Sequence, residues 1–305
     1  MNLLIDDAIY RLQSNGGIST LWRALEPFLR SSMLDCAFAS VDAPPIFLST
    51  YYQPAPQGAK SIVVCYDWIS SRYPLISRFS PDTQWKYAAI ASSSAVIAIS
   101  QWTADDTLHY TGKQATVAYP STNLTRASHD AVQAFKAKYN LPDTYVLVVG
   151  RRGLYKNVSS LWQALRLMNP RPFVVCVGGE EESIEGGVRL MLDADELAAA
   201  YTGALCLVYP SLYEGFGLPV LEAYACGCPV ICGDGGALKE INAAACVVDV
   251  TRPRELASGI VTMMDHGARI EFILMGYREA KRFSWSAMAE TIAGVIRDVM
   301  ARGDE

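Results

Sequence analysis

The chain is 305 residues long, enough for two domains of ordinary size. About half of the residues are hydrophobic (51%) and only 19% are charged, so it can bury a substantial core. A net charge of −5 gives no electrostatic footprint for nucleic acid. Most of the eight cysteines sit in apolar, strand-like runs such as Ile-Val-Val-Cys65 and Phe-Val-Val-Cys176, the usage of a reduced cytosolic protein rather than of a disulfide framework. The opening MNLLIDDAIYRL has acids at positions 6 and 7 and does not read as a signal peptide. No apolar run reaches the length of a membrane span.

In chain order, residues 2–5 read as a first buried strand. The loop Ser14-Asn15-Gly16-Gly17 follows, then a helix carrying Leu21, Trp22, Leu25, Phe28 and Leu29 on one face. Gly16 and Gly17 either bring backbone N–H groups to a phosphate or form a plain tight turn. Residues 46–50 and 61–66 read as strands, and the second ends in Asp67. An acid at the C-terminal end of a parallel strand either faces a ligand crevice or caps the turn. A helix over 82–93, a strand over 95–99 and a helix capped by Ser100 come next, then a strand over 116–119. The polar stretch 120–128 is the expected hinge.

The second half restarts with a helix over 129–139 and a strand over 145–149 ending at Gly150. Arg151, Arg152 and Lys156 then stand before a helix capped by Asn157. A guanidinium and an ammonium there suit a diphosphate, the alternative being a solvated basic loop. A strand over 173–177 follows, and Asp193-Ala-Asp-Glu196 reads as a capping box opening a helix to Tyr201. Strands over 205–209, 229–232 and 246–248 and helices from Pro253, over 266–281 and after Ser284 complete the pattern. Alternating strands and helices in both halves predict two parallel-sheet α/β domains facing one cleft.

The densest chemistry lies in YPSLYEGFGLPVLEAYACGCPVIC, Tyr209 to Cys232. Gly215 and Gly217 give a turn with close backbone approach, Pro219 suits a helix start, and Gly227 suits its stop. The backbone N–H groups of Gly215, Phe216, Gly217 and Leu218 make an anion-friendly turn. Glu214 and Glu222 flank it, seven residues apart. Glu222 is expected in the first helical turn, where its carboxylate can accept ribose hydroxyls. Cys226, Cys228 and Cys232 lack a fourth metal ligand nearby, so no metal site is expected. Neither a dinucleotide fingerprint nor a P-loop is present.

These residues resemble the retaining family 4 glycosyltransferases of GT-B fold. PSLYEGFGLPVLEAYACGCPVI is similar to their E-x7-E segment, and VVGRRGLYKN to their strand–Arg–Lys segment. AKRFSWSAMAETI resembles their entry to the last helix, while NGGIST, STYYQPAP, VVCYDWI and VIAISQWTADD are similar to a bacterial polysaccharide-synthesis subset. The resemblance implies two Rossmann-like domains: an acceptor-side domain over 1–125, a donor domain over 126–284, and a last helix over 285–305 crossing back to the first. It implies that Lys156 and Arg152 hold a diphosphate, with Arg151 beside them. Glu222 would hold the ribose and Glu214 would lie by the donor sugar, with Gly16 and Gly17 approaching the phosphates. It implies sugar transfer from a GDP- or UDP-sugar, with retention and without a metal or other cofactor, to a saccharide or lipid-linked saccharide acceptor. The setting implied is the cytoplasm, at the inner face of the cytoplasmic membrane, with peripheral membrane association and a homo-oligomer left open.

Many relatives carry His-Asp where this chain has Tyr66-Asp67, so Tyr66 is a candidate stand-in hydroxyl and Asp67 a candidate acceptor-side acid. Leu48 also stands where a His is common. The first domain is short for the family, which implies an acceptor pocket that is open or completed by a partner. The alternatives are a sugar-nucleotide-binding protein without catalysis and a GT-B sugar-nucleotide epimerase.

Overall fold

The computed structural model describes residues 2–13, 16–33, 37–38, 46–73, 82–150, 154–178 and 186–302. The chain divides into two compact units, one made of Met1–Thr122 and Phe283–Glu305, the other of Asn123–Arg282.

The first unit begins with strand β1 (Asn2–Ile5) and a short helix α1 (Ala8–Leu12), which the sequence pattern does not announce. Helix α2 (Gly17–Ser32) buries Leu21, Trp22, Leu25 and Leu29, while Phe28, expected on the same face, is exposed. Burying such side chains contributes roughly 1.5–3 kcal/mol each. Strands β2 (Ala37–Phe38), β3 (Ile46–Ser49) and β4 (Lys60–Cys65) follow. Then come α3 (Ile69–Arg72), α4 (Asp82–Ser92), β5 (Ala95–Ala98), α5 (Gln101–Thr111) and β6 (Thr116–Val117). The Ser100 hydroxyl accepts from Thr103 N and caps α5, as its place before the apolar-periodic run predicts. The strand order is β2-β1-β3-β4-β5-β6, parallel throughout. With helices covering them, these strands read as continuous apolar runs rather than alternating ones.

The second unit contains α6 (His129–Lys138), β7 (Val146–Val149), a 3₁₀ turn (Leu154–Lys156), α7 (Val158–Arg166), β8 (Val174–Val177) and β9 (Gly187–Leu190). It continues through α8 (Ala194–Gly203), β10 (Cys206–Tyr209), α9 (Leu218–Ala225), β11 (Val230–Cys232) and α10 (Leu238–Ile241). Strand β12 (Cys246–Val247) and helices α11 (Pro253–Met264) and α12 (His266–Ala280) close it. Both halves of the capping box form: Asp193 accepts from Glu196 N, and Glu196 accepts from Asp193 N. The core joins Val146, Val148, Leu161, Val174, Val208 and Ile231 to Leu256 and Ile260. The parallel sheet runs β12-β11-β10-β7-β8-β9. Its strand order reverses between β7 and β10, the switch point at which open α/β sheets bind ligands.

Helix α13 (Trp285–Ala301) belongs to the first unit and packs against α2. Its inner stripe is Trp285, Met288, Ala289, Ile292, Ala293, Ile296 and Val299, a helical period. Among the described residues no helix is long and apolar enough to cross a membrane.

Candidate functional site

Two loops leave the second sheet at its switch point. After β7, Gly150 adopts φ +118° and the 3₁₀ turn brings Lys156 back over the sheet edge. A Cβ at Gly150 would lie 3.8 Å from Lys156 Nζ, ordinary contact distance, but the left-handed φ strains any other residue there. After β10, the chain turns through Pro210–Tyr213 to Glu214. Leu212 N donates to Tyr155 O at 2.7 Å, fastening one loop to the other.

The two loops meet in a buried ion pair. Lys156 Nζ donates to Glu214 Oε1 at 2.6 Å and to the Tyr209 hydroxyl at 2.8 Å. The side chains are only 13% and 9% exposed. The ammonium also stands 4.8 Å from the Tyr209 ring centroid and 5.2 Å from that of Tyr155, within cation–π range. Burial and then the Glu214 carboxylate raise the Tyr209 hydroxyl well above the ordinary range, so it stays protonated. The arrangement holds a fixed cation and a fixed carboxylate side by side in a partly desolvated corner. Arg151 and Arg152 lie outside the described residues.

Glu214 is held from behind by a feature the motif reading passes over, the glycines of Gly233-Asp-Gly-Gly236. A Cβ at Gly235 would stand 2.0 Å from Leu212 O, and one at Gly236 (φ +63°) 2.7 Å from Glu214 O. Ala237 N donates to Glu214 O at 3.1 Å. Two glycines in a row after a strand are the visible signal; their partner lies 20 or so residues earlier, which a local pattern does not reveal.

Gly217 takes φ +105° and starts α9, and a Cβ there would meet Leu238 Cδ2 at 2.9 Å. Gly215 and Phe216 are buried in the turn ahead of it, and Leu218 is the first helical residue. Glu222 is the fifth residue of α9 and so lies in the second turn, not the first as expected, because the helix opens at Leu218. Its Oε2 accepts from the Tyr201 hydroxyl of α8 at 2.9 Å. Burial raises its carboxyl above the usual range, against the lowering pull of that hydrogen bond.

Asn157 departs from its expected role. It sits in the left-handed region (φ 50°) and makes no side-chain cap. Its Nδ2 donates to Val250 O at 2.8 Å, and its Oδ1 accepts from Ser160 Oγ at 2.8 Å, tying α7 to the loop after β12.

In the first unit, Gly16 is extended and precedes the first turn of α2, where Gly17 is exposed. Tyr66 is buried rather than presented to a ligand. Its hydroxyl accepts from Trp22 Nε1 and donates to Thr50 O, both at 2.6 Å. Both hydrogen-bonding directions are spent inside the fold, which corrects its reading as a stand-in hydroxyl. Leu48 is a core residue of β3. Asp67 Oδ1 accepts from Ile69 N at 3.0 Å, a turn cap, and its side chain remains 30% exposed.

The described cysteines are free thiols. Burial pushes Cys206, Cys226 and Cys232 up to about 12, so they stay protonated. No group of three His, Cys, Asp or Glu side chains is placed to hold a metal ion among the described residues. A cavity of about 550 Å³ opens by Gln163, Leu167 and residues 251–255 and includes none of the candidate site residues.

The two parallel-sheet α/β units have the GT-B class of fold. Residues 131–271, within the second unit, match the family model of glycosyl transferases group 1. Over 277 residues the chain is 27% identical to the serotype-specific mannosyltransferase WbdA of Escherichia coli, covering 78% of this chain and 33% of that protein. It is 31% identical over 225 residues to a D-inositol 3-phosphate glycosyltransferase of Thermobispora bispora, covering 64% of this chain and 53% of the relative. The chain thus spans 33% to 53% of the length of these curated relatives. The solved structure of HepE from Anabaena in complex with UDP-glucose matches with a TM-score of 0.75 at 15% identity, over 97% of this chain and 99% of that one.

Proposed function

We propose that this chain is a retaining, metal-independent glycosyltransferase that moves a sugar from a GDP- or UDP-sugar to a saccharide or lipid-linked saccharide acceptor in cell-surface polysaccharide synthesis. One observation carries the reading: the Lys156–Glu214 pair at the sheet's switch point, inside the group 1 domain. Lys156 has three N–H donors and spends two on Glu214 and Tyr209. The third is left for a phosphate oxygen, with Arg152 and Arg151 supplying further positive charge. As the bond from the anomeric carbon to the diphosphate breaks, its electron pair goes to the phosphate oxygen, where fixed cations stabilise the charge, while the acceptor hydroxyl oxygen bonds the anomeric carbon and gives its proton to the departing diphosphate. Glu214 accepts hydroxyls of the donor sugar. The N–H groups from Gly215 to Leu218 add the favourable end of a helix. Glu222 accepts the ribose hydroxyls. The named relatives support sugar transfer and polysaccharide synthesis, and the UDP-glucose complex of HepE supports a nucleotide-sugar donor.

The test is incubation with UDP- and GDP-sugars, with and without saccharide acceptors, reading released nucleotide. Acceptor-dependent release, with the product anomer retained by NMR, is expected. Tight nucleotide binding with no release for any donor favours the second reading, a sugar-nucleotide-binding protein without catalysis. The observation on that side is Tyr66, whose hydroxyl is consumed by Trp22 and Thr50 where relatives place a His.

A further inference from the structure

The first unit contains a buried cation that the donor chemistry does not use. Lys86 of α4 is 5% exposed. Its Nζ donates to Asp67 O at 2.8 Å and lies 3.6 Å from Asp67 Oδ1. The Tyr52 and Trp68 rings flank it at 5.4 and 5.2 Å. Holding a lysine there is costly unless something needs the charge fixed, because burial opposes an ammonium. The backbone of Tyr52 is itself held in the left-handed region (φ 52°), which an aromatic residue adopts at a cost of about 1–2 kcal/mol. Tyr52 is clamped there: its hydroxyl accepts from Tyr66 N and stands 4.0 Å from Cys65 Sγ.

All of this converges on Asp67. It follows β4, so it stands at the C-terminal edge of a parallel sheet, the edge where such folds bind ligands. Asp6, at the same edge after β1, is fully used: it accepts from Ala8 N, Thr50 N and the Thr50 hydroxyl. Asp67 is not. Ile69 N and Lys86 both address Oδ1, and among the described residues no bond reaches Oδ2, on a side chain that is 30% exposed. A carboxylate with one oxygen pinned and the other presented is an acceptor for a ligand hydroxyl or amine.

We infer that Asp67 receives a hydroxyl of the saccharide acceptor, and that Lys86 is a positioning residue that fixes both the backbone and the carboxylate of Asp67 for that contact. The inference rests on the glycosyltransferase reading for its ligand class and adds the group that meets the acceptor. The caged lysine sets the orientation of the free oxygen, and the aromatic rings keep the ammonium from drifting to water.

The experiment compares the wild type with Asp67→Asn, Lys86→Met and Lys86→Arg, all checked for folding by circular dichroism. Steady-state kinetics with the donor saturating give the acceptor KM. Calorimetry with UDP and GDP gives nucleotide Kd. Saturation-transfer NMR with methyl α-mannopyranoside reads saccharide contact without any turnover. Asp67→Asn and Lys86→Met are expected to raise the acceptor KM about tenfold or more and to weaken the saccharide signal, with nucleotide Kd unchanged, and Lys86→Arg to restore part of the loss. An unchanged acceptor KM and saccharide signal overturns the inference, as does a parallel loss of nucleotide affinity, which marks a structural role only. If the wild type releases no nucleotide from any donor, the glycosyltransferase reading fails, and the NMR comparison still decides whether Asp67 meets a saccharide.

Discussion

Replacing Lys156 by Met removes the cation from beneath a carboxylate that is 9% exposed. Glu214 is then left buried without its ion-pair partner, and breaking one side of such a pair costs about 3–5 kcal/mol. For a unit of this size, 3 kcal/mol lowers the midpoint of thermal unfolding by roughly 6–12 °C. The double variant Lys156→Met with Glu214→Gln removes the stranded charge. Its cost should fall short of the sum of the single variants by about 2 kcal/mol, the coupling energy of residues in contact. Turnover behaves differently. Losing a fixed donor to the departing phosphate is expected to cost about 10²–10³ in kcat, and the second substitution does not restore it. Urea unfolding followed by tryptophan fluorescence gives the stabilities, and nucleotide release gives the rates. A Lys156→Met protein as stable as the wild type refutes the buried pair. Near-normal turnover in that variant refutes the diphosphate role.

Gly236→Ala places a methyl 2.7 Å from Glu214 O at a left-handed φ, so it should destabilise by about 2–5 kcal/mol and slow turnover by displacing Glu214; denaturation midpoints matching the wild type would sink this. Because burial raises the Glu222 carboxyl, the folded state binds its proton more tightly than the unfolded chain, and stability falls as pH rises from about 4.3 through the raised value. Glu222→Gln should flatten that fall and weaken nucleotide binding in calorimetry. Adding EDTA should leave turnover intact; a loss reversed by adding a divalent metal would overturn the metal-independent proposal. Tyr66→Phe strands the Trp22 N–H and the Thr50 carbonyl, so a loss of about 2–4 kcal/mol is expected, with turnover per folded molecule retained, as melting curves and rates together would show.

The strand–helix alternation is legible in the sequence because parallel strands buried on both faces are continuous apolar runs, and helices carry their own period. Ser100, Asp193 and Ser284 cap as read, since a cap is a local device. What escapes the sequence is non-local. Strand β9 is an edge strand whose Gly187–Arg189 are only half-buried, so it lacks an apolar signature. Asn157 looks like a helix cap, but the bond that places it runs to Val250, far along the chain. The brace of Gly235 and Gly236 behind Glu214, and the aromatic cage around Lys86, are made by residues that only the folded topology brings together. Tyr66 reads as a site residue only through the family resemblance, at the position of its His, and the structure turns it inward onto Trp22.

Helix α13 is separated from the rest of its unit by the whole of Asn123–Arg282. In order of synthesis, the second unit is therefore finished before the first gains the helix that packs against α2. A nascent chain arrested after residue 282 lacks the apolar stripe of α13 that packs against α2, so the first unit is left incomplete, the kind of state that recruits chaperones. The second unit is set to mature first, and the unit that holds Asp67 and Lys86 closes last, when α13 arrives. Protease resistance of stalled chains should appear in that order.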